Sequence, residues 1–154
     1  MNTINSSQYL VEEITKKFKH ADFDTGFNLL NNSNLSDASI LVCRGNAEFY
    51  KRNHSNAFEL YGQAMEIDSN LRISRYFYLW ASKYLAEGDL VQAFQNYQEA
   101  IYIEPDFVDA YTDLGALMIE IGEFASAKKC YADALALDPN DIGIKKSLDS
   151  LSNF

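Results

Sequence analysis

The sequence predicts an all-α protein of antiparallel helix pairs stacked one on the next, with a capping helix at the C-terminal end. Three observations predict it. Gly88/Gly122, Ala93/Ala127, Tyr97/Tyr131, Ala100/Ala134 and Pro105/Pro139 each stand 34 residues apart, and a fixed period of this size marks a repeat architecture. Within each period the apolar residues recur at helical spacing, in two runs divided by a turn. Glycine closes the first run and proline the second, where a left-handed C-cap and a missing N–H respectively stop a helix.

The elements follow in chain order. A weak first unit spans about 7–37, with Phe23, Gly26, Leu30 and Ser33 at the equivalent places. Its first helix carries the amphipathic stripe Tyr9, Leu10, Ile14 and Phe18. That stripe has two readings, packing on Phe23, Phe27 and Leu30 or self-association through an edge helix. The unit Ala38–Leu71 keeps Ala57, Tyr61 and Ala64 at the spacing of Ala93, Tyr97 and Ala100, and Arg72 and Ile73 are extra. Ser74–Phe107 shows Phe77, Trp80 and Tyr84 before Gly88, then Leu90 to Ile101 before Pro105. Val108–Asp141 repeats this with Tyr111, Leu114, Met118 and Ile121, then Phe124 to Leu135. Residues 142–154 begin a further unit and stop; Ile144, Leu148 and Leu151 form a narrow stripe among lysines and serines, as expected of a solvating cap.

Small residues mark close approach. Ala93 and Ala127 are placed where paired helices cross, Ala100 and Ala134 where a helix meets the following unit, and a larger side chain would push axes beyond the usual 8–10 Å. Gly45 and Gly115 stand mid-helix, where glycine costs about 0.5–1 kcal/mol, so a packing reason is expected.

Composition narrows the function. The chain has 154 residues and a net charge of −9, room for a single domain with its own core. It shows no basic stripe of the kind that nucleic acid or an anionic membrane requires. No stretch approaches the roughly 20 apolar residues of a membrane helix, nor does the N-terminus carry a signal-peptide core, so the expected location is cytoplasmic. Cys43 and Cys130 lack metal-ligand spacing and read as reduced packing thiols. His20 and His54 have no nucleophile or carboxylate at a motif spacing, and no phosphate-cradling loop is present. The reading is non-enzymatic, without cofactor or metal.

The pattern W-x2-L-G-x2-Y, A-x3-F, A, P of the tetratricopeptide repeat is met by Tyr111, Leu114, Gly115, Met118, Ala127, Tyr131, Ala134 and Pro139. Phe77, Trp80, Ala81, Tyr84, Ala93, Tyr97, Ala100 and Pro105 meet it one unit earlier. The Ala38 unit departs, with Arg44, Glu48 and Ser69 at the leucine, aromatic and proline places. Nearly the whole chain therefore resembles a small stand-alone member of that family. The resemblance implies a right-handed superhelical solenoid, and a concave groove, lined by the first helix of each pair, that binds a peptide segment of another protein. Carried over position by position, the candidate peptide-binding residues are Asn46, Phe49 and Tyr50, then Arg75, Tyr78 and Ser82, then Asp109, Thr112, Asp113 and Glu120.

Members that grip the C-terminal carboxylate of heat-shock chaperones use lysine, asparagine and arginine at places held here by Val42, Asn46, Leu79, Asp109 and Asp113. Carboxylates replace the cations, so that co-chaperone reading is rejected. Val108–Asp141 carries two lysines against seven carboxylates, which favours a partner with a basic segment. The role implied is an adaptor or scaffold in complex assembly; a chaperone for an exported subunit of a bacterial secretion system is the alternative.

Overall fold

Nine helices run through the described residues, 6–152, of a computed structural model of the chain. Residues 1–5, together with 153 and 154 at the end of the expected cap, lie outside the described residues. The helices are α1 (Ser6–Lys19), α2 (Phe23–Asn31), α3 (Asp37–Tyr50), α4 (His54–Ile67), α5 (Ser74–Ala86), α6 (Leu90–Ile103), α7 (Val108–Glu120), α8 (Phe124–Leu137) and α9 (Ile142–Ser150). No strand occurs among the described residues. They pair as the period requires, α3 with α4 and α7 with α8, and α9 packs on α8. The chain groups into two compact units, one ending at Tyr76 and the other beginning at Phe77.

Helix starts are held by short polar side chains that accept from an otherwise unpaired N–H. Asp22 receives the Thr25 amide, Asp89 that of Gln92 at 3.0 Å, and Asp141 that of Ile144 at 2.9 Å. The turn inside each pair is one motif used four times. A residue with positive φ ends the first helix, and the next amide reaches back five residues, Asp22 to Lys17, Asn53 to Glu48, Asp89 to Tyr84 and Glu123 to Met118. This is a Schellman closure. Gly88 and Gly122 supply it at φ 80° and 82°, but Ala21 and Arg52 adopt it at 59° and 64°. A side chain in this region costs roughly 1–2 kcal/mol. Ala21→Gly and Arg52→Gly are each expected to raise stability by about 1 kcal/mol. Gly122→Ala should lower it by a similar amount, read as shifts in denaturant midpoint at unchanged slope; destabilisation by either glycine would overturn the expectation.

In the unit ending at Tyr76, Ile14, Phe18, Leu30, Leu35, Cys43 and Ala47 form the core. The Phe18 ring lies 5.8 Å from Phe23 and 5.1 Å from Phe27, so the α1 stripe packs inward while Tyr9 stays exposed. A polar chain crosses three helices here. The Tyr61 hydroxyl on α4 donates to Asn46 Oδ1 on α3 at 2.8 Å. Asn46 Nδ2 donates to Thr15 Oγ1 on α1 at 2.7 Å, and Thr15 donates to the Val11 carbonyl. Gly45 is required because a Cβ there would run into the Tyr61 ring, as one on Gly26 would run into Phe18.

In the unit beginning at Phe77, Ala93, Ala100, Ala127 and Ala134 are fully buried at the crossings. A Cβ on Gly115 would stand 3.1 Å from Tyr131, so glycine again admits the aromatic ring. Ile144 and Leu151 bury the apolar edge of the cap. Trp80 stacks on Tyr84 with centroids 5.3 Å apart, and Lys83 Nζ lies 4.6 Å over its ring.

Candidate functional site

The expected site residues separate by unit. On α3, Asn46 is 4% exposed and Phe49 2% exposed. Both were expected on a groove surface, and both stand in the core instead. Asn46 has its amide nitrogen and oxygen engaged by Thr15 and Tyr61. Phe49 packs edge-on to Tyr50 and stacks on His54, ring centroids 5.3 Å apart. Tyr50 is half-buried, and its hydroxyl accepts from Arg75 Nη2 at 2.6 Å. The Arg75 guanidinium lies 5.2 Å over the Tyr50 ring and 5.7 Å over Phe49. A cation held over aromatic faces in this way is a packed element of the unit.

On α5 and α7 the expected residues do come together. Tyr78 is 8% exposed and donates its hydroxyl proton to Asp113 Oδ2 at 2.7 Å. Its ring packs 5.1 Å from Phe107 and 5.8 Å from Tyr97. Burial first, then the charge of Asp113 and the hydrogen bond to it, push the Tyr78 phenol well above its ordinary range. Tyr78 is thus a fixed donor that orients the carboxylate. Ser82 Oγ donates to the Tyr78 carbonyl at 3.1 Å and lies 3.5 Å from the Tyr97 hydroxyl. Tyr97 belongs to this cluster although its repeat position marks it as packing; its placement one helix over from Ser82 is the only signal.

Asp109 stands one turn before Asp113 on α7 and close enough to raise the Tyr78 phenol further. Residues four apart share a helix face. Glu120, seven residues beyond Asp113, continues that face and is exposed. The Thr112 hydroxyl instead donates to the Val108 carbonyl at 3.0 Å, so it is spent within its own helix. The result is a line of carboxylates along α7, anchored at one point by a buried phenol.

Neither cysteine is poised for chemistry. Cys43 is fully buried, and burial pushes its thiol up to about 12. Burial and the neighbouring Asp133 raise Cys130, which keeps both as thiols near neutral pH. Among the described residues no helix is long and apolar enough to cross a membrane.

Known proteins bear on this architecture. The family model described as Tetratricopeptide repeat matches residues 84–148. The small glutamine-rich tetratricopeptide repeat-containing protein 2 of Mycosarcoma maydis is 29% identical over 114 residues, 74% of this chain and 32% of that protein. The chain therefore spans about a third of the length of that relative. Among solved structures, the first TPR of Spaghetti (RPAP3) bound to the HSP90 peptide SRMEEVD superposes with a TM-score of 0.55 at 24% identity, covering 75% of this chain and 90% of that one. The MamA protein superposes with a TM-score of 0.56 at 19% identity, covering 96% of this chain and 81% of that one.

Proposed function

Taking as premise that the chain belongs to the tetratricopeptide-repeat family, we propose that it is a non-enzymatic adaptor which holds a basic peptide segment of a partner protein along α7. The observation that carries this reading is the Tyr78–Asp113 hydrogen bond at 2.7 Å, with Asp109 one turn away on the same face. A half-buried carboxylate held by a phenol keeps its position when a cation arrives, so little ordering cost falls on binding. Asp109 and Asp113 are separated by about 6 Å along the axis, given a rise of 1.5 Å per residue. Alternate residues of an extended peptide span about 6.6 Å on one face. A segment with Lys or Arg at alternate positions fits that pair.

The RPAP3 structure with the peptide SRMEEVD is supporting context. It shows a related fold holding a short acidic peptide. The resemblance assigns Asp109 and Asp113 to places where a carboxylate grip uses cations, and two acidic side chains there support a cationic segment as the occupant. The role in complex assembly follows from that capture, with no bond made or broken.

The test is a titration of fluorescent hexapeptides, one with two lysines at alternate positions and one with two glutamates, in about 50 mM and 500 mM salt. The lysine peptide is expected to bind and to weaken by tenfold or more at high salt. Asp113→Asn should reduce its affinity about three- to tenfold, and Tyr78→Phe by less, since the ring keeps its packing. Equal binding of the two peptides, or none, would overturn the reading.

A further inference from the structure

Between consecutive second helices the two units each carry a cleft floored by the first helix of the later pair. The clefts occupy the same place in the repeat but differ in chemistry. In the unit ending at Tyr76, a cleft of about 580 Å³ has Arg44 and Glu48 of α3 on its floor and Glu59 and Gln63 of α4 on its wall. In the unit beginning at Phe77, one of about 830 Å³ has Leu114, Leu117 and Met118 of α7 on its floor and Phe94 and Ile101 of α6 on its wall. Arg44 and Glu48 correspond to Leu114 and Met118, each 70 residues on. The helix pair folds with either lining, so an apolar lining is not a requirement of the fold.

The rim of the apolar cleft is asymmetric. On the α6 side Val91 is 64% and Tyr102 80% exposed, large apolar surface that nothing in the unit covers. On the α8 side stand Glu123, Lys129 and Asp133. Glu123 and Asp133 are ten residues apart, about 15 Å along the axis, and the repeat that contains them is the most acidic of the chain.

We infer that this cleft, on the α6–α8 side and separate from the α7 carboxylate line, docks an amphipathic helix of a partner protein. The occupant has an apolar stripe bordered on one edge by two basic residues about three turns apart. A helix is favoured over an extended segment because the cleft offers no unpaired strand edge, and i, i+3, i+4, i+7 anchors suit a smooth apolar trough. Leu90 to Tyr102 measures about 18 Å, the length of a helix of roughly 12 residues. The basic edge is set by Glu123 and Asp133, with Lys129 between them disfavouring a third cation at the middle turn.

The probes are three 15-residue helical peptides, tested on the full chain by fluorescence anisotropy at about 50 mM salt. The first carries leucines on one face and lysines eleven residues apart on one edge; the second has glutamates at those two places; the third has serines for the leucines. The lysine peptide is expected to bind, the glutamate peptide at least about tenfold more weakly, and the serine peptide not at all. Tyr102→Ser and Val91→Ser, both at exposed positions, should each lower affinity by fivefold or more with an unchanged melting curve. Cys130 lines the cleft while Cys43 is fully buried. Iodoacetamide should therefore modify Cys130 alone, and the bound lysine peptide should slow that reaction. Equal affinity for lysine and glutamate peptides, or binding unmoved by both serine variants, would overturn the inference. Dimers in sedimentation that protect Cys130 without peptide would overturn it in favour of a second copy of this chain. Asp113→Asn should leave binding here unchanged, so this result stands or falls apart from the α7 reading.

Discussion

Tyr61→Ala is expected to lower the stability of the unit ending at Tyr76 by about 4 kcal/mol or more. Tyr61 is fully buried on α4 and fills the space that Gly45 leaves on α3. Truncating a buried aromatic to alanine costs about 3–5 kcal/mol through lost transfer energy and the cavity left behind. The change also removes the donor to Asn46 Oδ1, and an orphaned buried acceptor adds about 1–3 kcal/mol. Against a domain stability of 5–15 kcal/mol this is a large fraction. Tyr61→Phe separates the two contributions. It keeps the ring against Gly45 and removes only the hydroxyl, so it should cost about 1–2 kcal/mol. Denaturant unfolding followed by circular dichroism gives both values. A cost below about 2 kcal/mol for alanine would contradict this packing argument, as would equal costs for alanine and phenylalanine.

Removal of α9 is expected to lower stability by about 3–6 kcal/mol, from two buried aliphatic side chains at about 1.5–3 kcal/mol each. Ile144 and Leu151 are each 3% exposed, and Asp141 holds the Ile144 amide at the helix start. Burial raises the Tyr131 phenol, and Ser147 of α9 stands close enough to offset part of that rise. A chain ending at Asp141 would open the edge of α8 to water and is expected to melt lower and to aggregate on concentration. The double substitution Ile144→Ser, Leu151→Ser should reproduce most of the effect at full length. Unchanged melting in both proteins would show that α9 covers nothing of consequence.

The helix pairs were legible because their punctuation is chemical. Glycine at φ near 80° and proline after a second helix can be read directly from Gly88, Gly122, Pro105 and Pro139. Ala21 and Arg52 make the same turn without that signal, because six-to-one closure of the helix end is strong enough to hold an ordinary residue there. The packing role of Gly45 and Gly115 was legible in kind, through the propensity they sacrifice, but not in partner. That each admits a tyrosine ring from the paired helix emerges only when the two helices are placed.

The candidate site was legible in part. Position within the repeat points to Tyr78, Ser82, Asp109 and Asp113, and these stand near one another. The same rule points to Asn46 and Phe49, which are buried. The reason is local. The first, degenerate unit brings Thr15 of α1 against Asn46, and the turn after α3 folds His54 over Phe49. Position in a repeat fixes the direction of a side chain from its helix axis; a neighbour's length decides whether water reaches it. The cleft beside α6 was hidden for a related reason, since Val91 and Tyr102 look like ordinary members of an amphipathic stripe until their exposure is known.

Trp80 is the chain's one tryptophan, and it lies in the unit beginning at Phe77. Its emission, set by stacking on Tyr84 and by the ammonium of Lys83, reports the melting of that unit, whereas far-ultraviolet dichroism sums the helices of both. The molecule therefore carries its own optical label on one half. Two transitions that coincide would describe one cooperative object, and two that separate would give each half its own melting temperature without any foreign chromophore.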